Sequence, residues 1–249
     1  MIVQTESVMI PVGDSPMRTV VARPKDPGKY PGVLIYSDIF QLTPTMLRAC
    51  VRLAGYGFVV AAPEIYHRIE APGWAPAFDD AGRAKGLDDA NNTDVASFDL
   101  DARAVLDHLI LDPSVAPDQL AAAGFCIGGH LAFRAAFQPD VKATACFYPT
   151  GVHDGKLGRD ADAGSLARVG EIRGELLLVF GTLDPHIPSE GRIKIEDALK
   201  EAGTSYTAIH YPTEHAFMRD EGPRYDPEAT DRAWLDMIAL FRRTFGSPM

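Results

Sequence analysis

Cysteine is scarce in this chain, with Cys50, Cys126 and Cys146 the three copies among 249 residues, and none of them stands in a C-x-x-C pair. That excludes a disulfide framework and the usual zinc and dithiol motifs, and a reducing compartment is expected. Basic residues are absent before Arg18, so no cationic n-region opens a secretory signal, and no apolar run approaches the roughly 18 to 20 residues that span a bilayer. Positive charge is also in deficit overall. The 24 Lys plus Arg against 34 Asp plus Glu give a net charge of -10, the wrong sign for a nucleic-acid footprint. A cytoplasmic protein without nucleic-acid or membrane partners is therefore expected. Fixed-period repeats and low-complexity tracts are missing too.

What the chain has is a core. Its hydrophobic share of 46% at this length suits one α/β domain over residues 1–249. Residues 2–24 read as two antiparallel strands around the turn-forming Val12-Gly13-Asp14-Ser15. Short apolar runs then alternate with stretches of helical period: strands at 33–36, 58–62, 120–124, 142–147, 176–180 and 205–211, and helices at 43–54, 93–111 and 127–137. Ser189 is placed to cap a further helix, and Asp226-Pro227 to open the last one. This grammar predicts an α/β fold with a mostly parallel twisted sheet, helices on both faces and an N-terminal antiparallel hairpin, with chemistry at the carboxyl ends of the strands. Residues 66–92, rich in Pro, Gly and Asp and poor in period, are expected to form a lid or surface excursion over that edge.

At one point a strand runs directly into a helix, through Gly124-Phe125-Cys126-Ile127-Gly128-Gly129. This G-x-C-x-G pattern resembles the nucleophile elbow of α/β-hydrolases with Cys in place of Ser. Such a turn holds its nucleophile in a strained conformation at the positive end of a helix, which favours a thiolate and offers N–H groups to an oxyanion. Cys50 and Cys146, inside a helix and a strand pattern, read as packing residues. A P-loop would need a Lys that is absent here, and no ligand spacing suggests a metal, so neither metal nor cofactor is expected.

Elbow hydrolases carry nucleophile, acid and histidine in that chain order. Downstream of Cys126 the order is completed by Asp184 and His215, each following a predicted strand. His130 lies one turn into the elbow helix, and His186 is too near Asp184 in sequence to be oriented by it in the usual way. The residues thus suggest nucleophilic catalysis, with His215 taking the thiol proton, Asp184 holding its tautomer and the thiolate attacking an acyl carbon.

The elbow, Leu183-Asp-Pro-His-Ile-Pro188 and His215-Ala-Phe-Met-Arg219 together resemble the dienelactone hydrolase family. That resemblance implies the α/β-hydrolase fold, a Cys126, Asp184, His215 triad and hydrolysis of a small ester or lactone in the degradation of aromatic or related compounds. It further implies oxyanion donors at the Ile39 and Ile127 backbone, and Asp38 where the family places a glutamate that interacts with the resting thiol. Two arginines would bind a substrate carboxylate: Arg219, and in the lid Arg83, with Lys85 as its rival. The same residues also admit a carboxylesterase or thioesterase of larger acyl groups, or a redox-responsive thiol protein that turns nothing over.

Overall fold

A computed structural model of the chain describes residues 1–246. The expected hairpin forms from β1 (Val3–Ile10) and β2 (Met17–Pro24), paired antiparallel with Ile10 opposite Met17. It is the antiparallel edge of one eight-stranded sheet of order β1-β2-β4-β3-β5-β6-β7-β8, whose other strands are β3 (Tyr30–Tyr36), β4 (Val59–Pro63), β5 (Val115–Phe125), β6 (Val141–Phe147), β7 (Glu175–Gly181) and β8 (Tyr206–Tyr211). From β4 to β8 every pairing is parallel. Parallel strands covered on both faces need continuous apolar runs, and β3 is buried along its whole length while β1, at the edge, is mostly exposed.

Helices α1 (Pro44–Gly55) and α6 (Pro227–Phe245) cover one face, joined by Arg52 and Asp231 at 3.0 Å. On the other face lie α3 (Val95–Leu111) and α4 (Ile127–Ala135), bridged by the bidentate pair Arg134 and Asp99. The stripe Val95, Phe98, Ala102, Val105 and Leu109 is the buried side of α3, as its period demands. Asp226 caps α6 by accepting from the Ala229 N–H at 2.9 Å. Among the described residues no helix is long and apolar enough to cross a membrane.

Three details depart from expectation. Within residues 66–92, helix α2 (Asp80–Asn92) occupies the second half, a helix that their weak period did not suggest. It packs through glycine rather than through an apolar stripe: a Cβ on Gly86 would lie 2.4 Å from the Ile39 carbonyl oxygen. Ser189 does not cap α5 (Ser189–Glu201); it is the first helical residue, and Pro188 stands at the cap. Finally, β5 begins five residues before the predicted run and shifts register between Leu120 and Ala121.

Candidate active site

Between β5 and α4 a single residue, Cys126, makes the turn, at φ 58° and ψ -122°. A left-handed backbone at a residue with a Cβ costs about 1 to 3 kcal/mol and persists only where its surroundings hold it. Here the hold is tight: the Cys126 N–H donates to the Phe147 carbonyl at 3.1 Å, and its own carbonyl accepts from Gly129 and Thr150. The glycines permit the approach. A Cβ on Gly124 would sit 1.9 Å from the Gly128 carbonyl oxygen, and one on Gly128 would sit 2.1 Å from that of Ser37.

The loops after β7 and β8 bring Asp184 and His215 to the same edge. Asp184 Oδ2 accepts from His215 Nδ1 at 2.7 Å, while Oδ1 accepts from the His186 N–H at 2.8 Å, so this aspartate both stiffens its own turn and orients the imidazole. Tyr148 packs edge-on against His215 with ring centroids 5.2 Å apart. With Nδ1 committed to the carboxylate, Nε2 is the nitrogen left to face the sulfur.

The two groups shift in opposite directions. Burial is the largest single influence and pushes the Cys126 thiol up, but the charge and hydrogen bond of His215, with the Thr150 hydroxyl, together overcome it and the thiol lies below its usual value. Burial likewise pulls His215 down, and is overcome by the Cys126 charge and the Asp184 hydrogen bond, which raise the imidazole to about 9. Each charge supports the other, an arrangement that favours a thiolate beside an imidazolium. The other thiols behave differently: burial alone drives Cys50 up to about 12 and Cys146 further.

Cys126 and His215 line a cavity of about 300 Å³, together with Ile39, Ile127, Arg83 and Arg224. Ile39 sits on a loop held by Asp38, whose Oδ1 accepts from the Phe40 N–H at 2.9 Å, and Ile127 begins α4 at its positive end. A second cavity, of about 280 Å³ behind Arg219, contains neither Cys126 nor His215.

Asp38 is not bonded to the thiol. Its Oδ2 accepts from both Nε and Nη2 of Arg219, and its charge opposes the thiolate. Arg219, in turn, is held between the rings of Phe40 and Phe78 at 4.8 and 4.9 Å, so its guanidinium borders the cavity while already partnered. Lys85 lies against Glu70 and Asp89 and does not reach the cavity, whereas Arg83 does. His130 is fully buried, with Nδ1 3.1 Å from the Thr150 carbonyl and Nε2 2.7 Å from Ser165 Oγ.

The structure adds residues that the sequence did not assign to the site. Arg224, from the stretch between β8 and α6, lines the cavity, and among the described residues neither it nor Arg83 has an ion-pair partner. His186 borders the same space, kept below its usual value by burial, by His215 and by these two arginines. Thr150 Oγ1 approaches Cys126 Sγ at 3.6 Å. No local pattern marks Arg224 or Thr150, whereas His186 stands in the motif around Asp184.

The sequence profile of the dienelactone hydrolase family matches residues 17–245. A Saccharomyces cerevisiae protein, provisionally named a carboxymethylenebutenolidase, is 37% identical over 237 residues, covering 91% of this chain and 86% of its own. A carboxymethylenebutenolidase of Pseudomonas sp. is 27% identical over 218 residues, with 87% and 86% covered. Among solved structures, a Klebsiella pneumoniae protein provisionally named a dienelactone hydrolase superposes with a TM-score of 0.85 at 24% identity, covering 98% of this chain and all of its own. With the family profile extending from β2 to the end of α6, the chain belongs to the dienelactone hydrolase family.

Proposed function

We infer that this hydrolase uses Cys126 as its nucleophile on a small ester or lactone, through a thioester acyl-enzyme. The observation that carries the reading is the strained elbow cysteine, with its lowered thiol, sharing one cavity with the Asp184-oriented His215. Cys126 Sγ attacks the acyl carbon, and the N–H groups of Ile39 and Ile127 receive the oxygen as it becomes negative. The carbon to oxygen bond then breaks, and His215 gives its proton to the departing oxygen. Water attacks the thioester, passes a proton back to His215, and the sulfur leaves as the thiolate it was at rest.

A cavity of about 300 Å³ stands at the small end of ligand sites, which suits a compact substrate over a long acyl chain. Its two unpaired arginines suit a substrate carrying a carboxylate. A nucleophile that works only as reduced sulfur, in a chain whose three cysteines are all free, suits the cytoplasm.

Mass spectrometry of the enzyme mixed rapidly with an activated ester tests the reading. One acyl adduct on Cys126 is expected, together with loss of turnover in Cys126→Ala. Full turnover in that variant, or an adduct on another residue, overturns it.

A further inference from the structure

The hydroxyl of Thr150 has two acceptors within reach, the Cys126 Sγ at 3.6 Å and the Tyr148 carbonyl at 3.4 Å, and a single proton to give. We propose that Thr150 is a second hydrogen-bond donor to the Cys126 thiolate, acting beside His215 and turning to the Tyr148 carbonyl whenever the sulfur is uncharged. The assignment rests on the reading of Cys126 as the nucleophile.

The backbone around Thr150 is arranged to aim this side chain. Its N–H donates to the Cys126 carbonyl at 3.2 Å, and its carbonyl receives a hydrogen bond from His130 Nδ1 at 3.1 Å. Both ends of the residue are thus tied to the first turn of α4, the turn that begins at the nucleophile. His130 is itself fixed from behind. Ser165 Oγ lies 2.7 Å from its Nε2 and accepts from Arg134, which is bound to Asp99. Burial drives His130 down to about 3, so the ring stays neutral, with one nitrogen donating to Thr150 and the other accepting from Ser165. A buried histidine without a part in bond making thereby acquires a role: it sets where the Thr150 hydroxyl points.

A hydroxyl serves this site better than a fixed cation would. A thiolate at rest needs stabilising, but the thioester formed from it carries no charge on sulfur. A donor able to rotate away does not hold the sulfur back during attack, and is available again when the thiolate departs in deacylation. Asp38 does not supply this contact: its carboxylate has no proton to give, and its two oxygens accept from the Phe40 N–H and from Arg219.

The test measures ionisation of the sulfur without turnover. Iodoacetamide alkylation of Cys126 is followed against pH by peptide mass spectrometry in wild type, Thr150→Val, Thr150→Ala and Thr150→Ser, with thermal unfolding recorded for each. Val and Ala remove the donor, and either suffices if the other unfolds early. Their alkylation midpoint is expected to rise by about one pH unit, making alkylation about tenfold slower below the wild-type midpoint, with Ser restoring the wild-type curve. Coincident curves for Val, Ala and wild type overturn the proposal, as does a Ser curve displaced as far as theirs. A separate Cys126→Ala variant, assayed for ester hydrolysis, distinguishes the two ideas. If Cys126→Ala still hydrolyses esters the nucleophile assignment fails, yet the alkylation curves still report whether Thr150 contacts the sulfur.

Discussion

Arg219 donates through Nε to Asp38 Oδ2 at 3.1 Å and stands as a wall between the cavity that holds Cys126 and the second cavity behind it. The pair is largely buried, with the two side chains 12% and 16% exposed, so each charge depends on the other. Arg219→Ala would leave the Asp38 carboxylate uncompensated near the thiol, and would lose the packing between Phe40 and Phe78. A cost of about 2 kcal/mol is expected from these terms. The Cys126 thiol should rise as well, since the Asp38 charge already acts in that direction. Activity should fall equally on neutral and carboxylated esters, and Asp38→Asn in the same chain should recover part of it. Melting temperature and kcat/KM on a matched pair of esters check both effects.

On the proposed mechanism the thiolate and imidazolium would set the pH profile. Below the lowered thiol value Cys126 takes up a proton and attack stops, so kcat/KM rises with pH on the acid side. Above about 9, His215 loses its proton and with it the acid for the leaving oxygen, so the profile falls again. Asp184→Asn removes a group that holds His215 up, which moves the alkaline limb down. A less charged imidazole supports the thiolate less, which moves the acid limb up. The plateau should narrow from both sides, with a rate loss on the order of 100-fold, smaller than in a serine triad because the thiolate forms more readily. A pH titration of kcat/KM for both proteins reads this directly.

Glycine at the elbow is a geometric demand. A Cβ at position 128 would meet the Ser37 carbonyl oxygen at 2.1 Å and the Tyr36 carbonyl oxygen at 2.8 Å, both backbone atoms of the β3 end that leads to Ile39. Gly128→Ala must push α4 from β3, and so part the Ile127 and Ile39 amides. A loss of about 3 kcal/mol or more is expected, as for other overpacked sites at their upper range. Any folded fraction should keep normal Cys126 alkylation but hydrolyse slowly. Thermal unfolding and an alkylation assay on the same preparation separate the two losses.

Much of this site was legible because its signals are local. The elbow announces itself through Gly124, Cys126 and Gly128 within five residues, and Asp184 and His215 each follow a run that reads as a strand. Helix α2 was not legible for a physical reason. Gly82 and Gly86 bury the helix by letting backbone approach backbone, at 2.1 Å from the Ala77 oxygen and 2.4 Å from the Ile39 oxygen for a built Cβ, so no apolar period exists to be found. Thr150 and Arg224 were hidden differently. Each reaches the site from a loop whose path depends on the finished fold, and a lone Thr or Arg in a loop has no pattern around it. The assignment of Asp38 and Arg219 to thiol and substrate likewise omitted what only three dimensions display, that 181 positions apart in the chain they bind each other.

Besides His215, four cationic side chains border the Cys126 cavity: Arg83, Lys156, Arg219 and Arg224. Arg219 is bound by Asp38 and Lys156 by Asp154 at 2.9 Å, which leaves Arg83 and Arg224 to receive an anion. Both line the cavity together with His186, and a carboxylate placed between them would gain two charge-assisted partners. Arg224→Ala should therefore raise KM about tenfold for an ester bearing a free carboxylate, the loss of about 1.4 kcal/mol expected for one partly exposed charged hydrogen bond. For the corresponding methyl ester KM should change little, and kcat should hold for both. Arg83→Ala should repeat the pattern, and the double variant should bring the carboxylated ester to the level of the neutral one. An equal loss on both substrates would instead mean that the arginines support the cavity wall and leave the choice of substrate to its apolar lining.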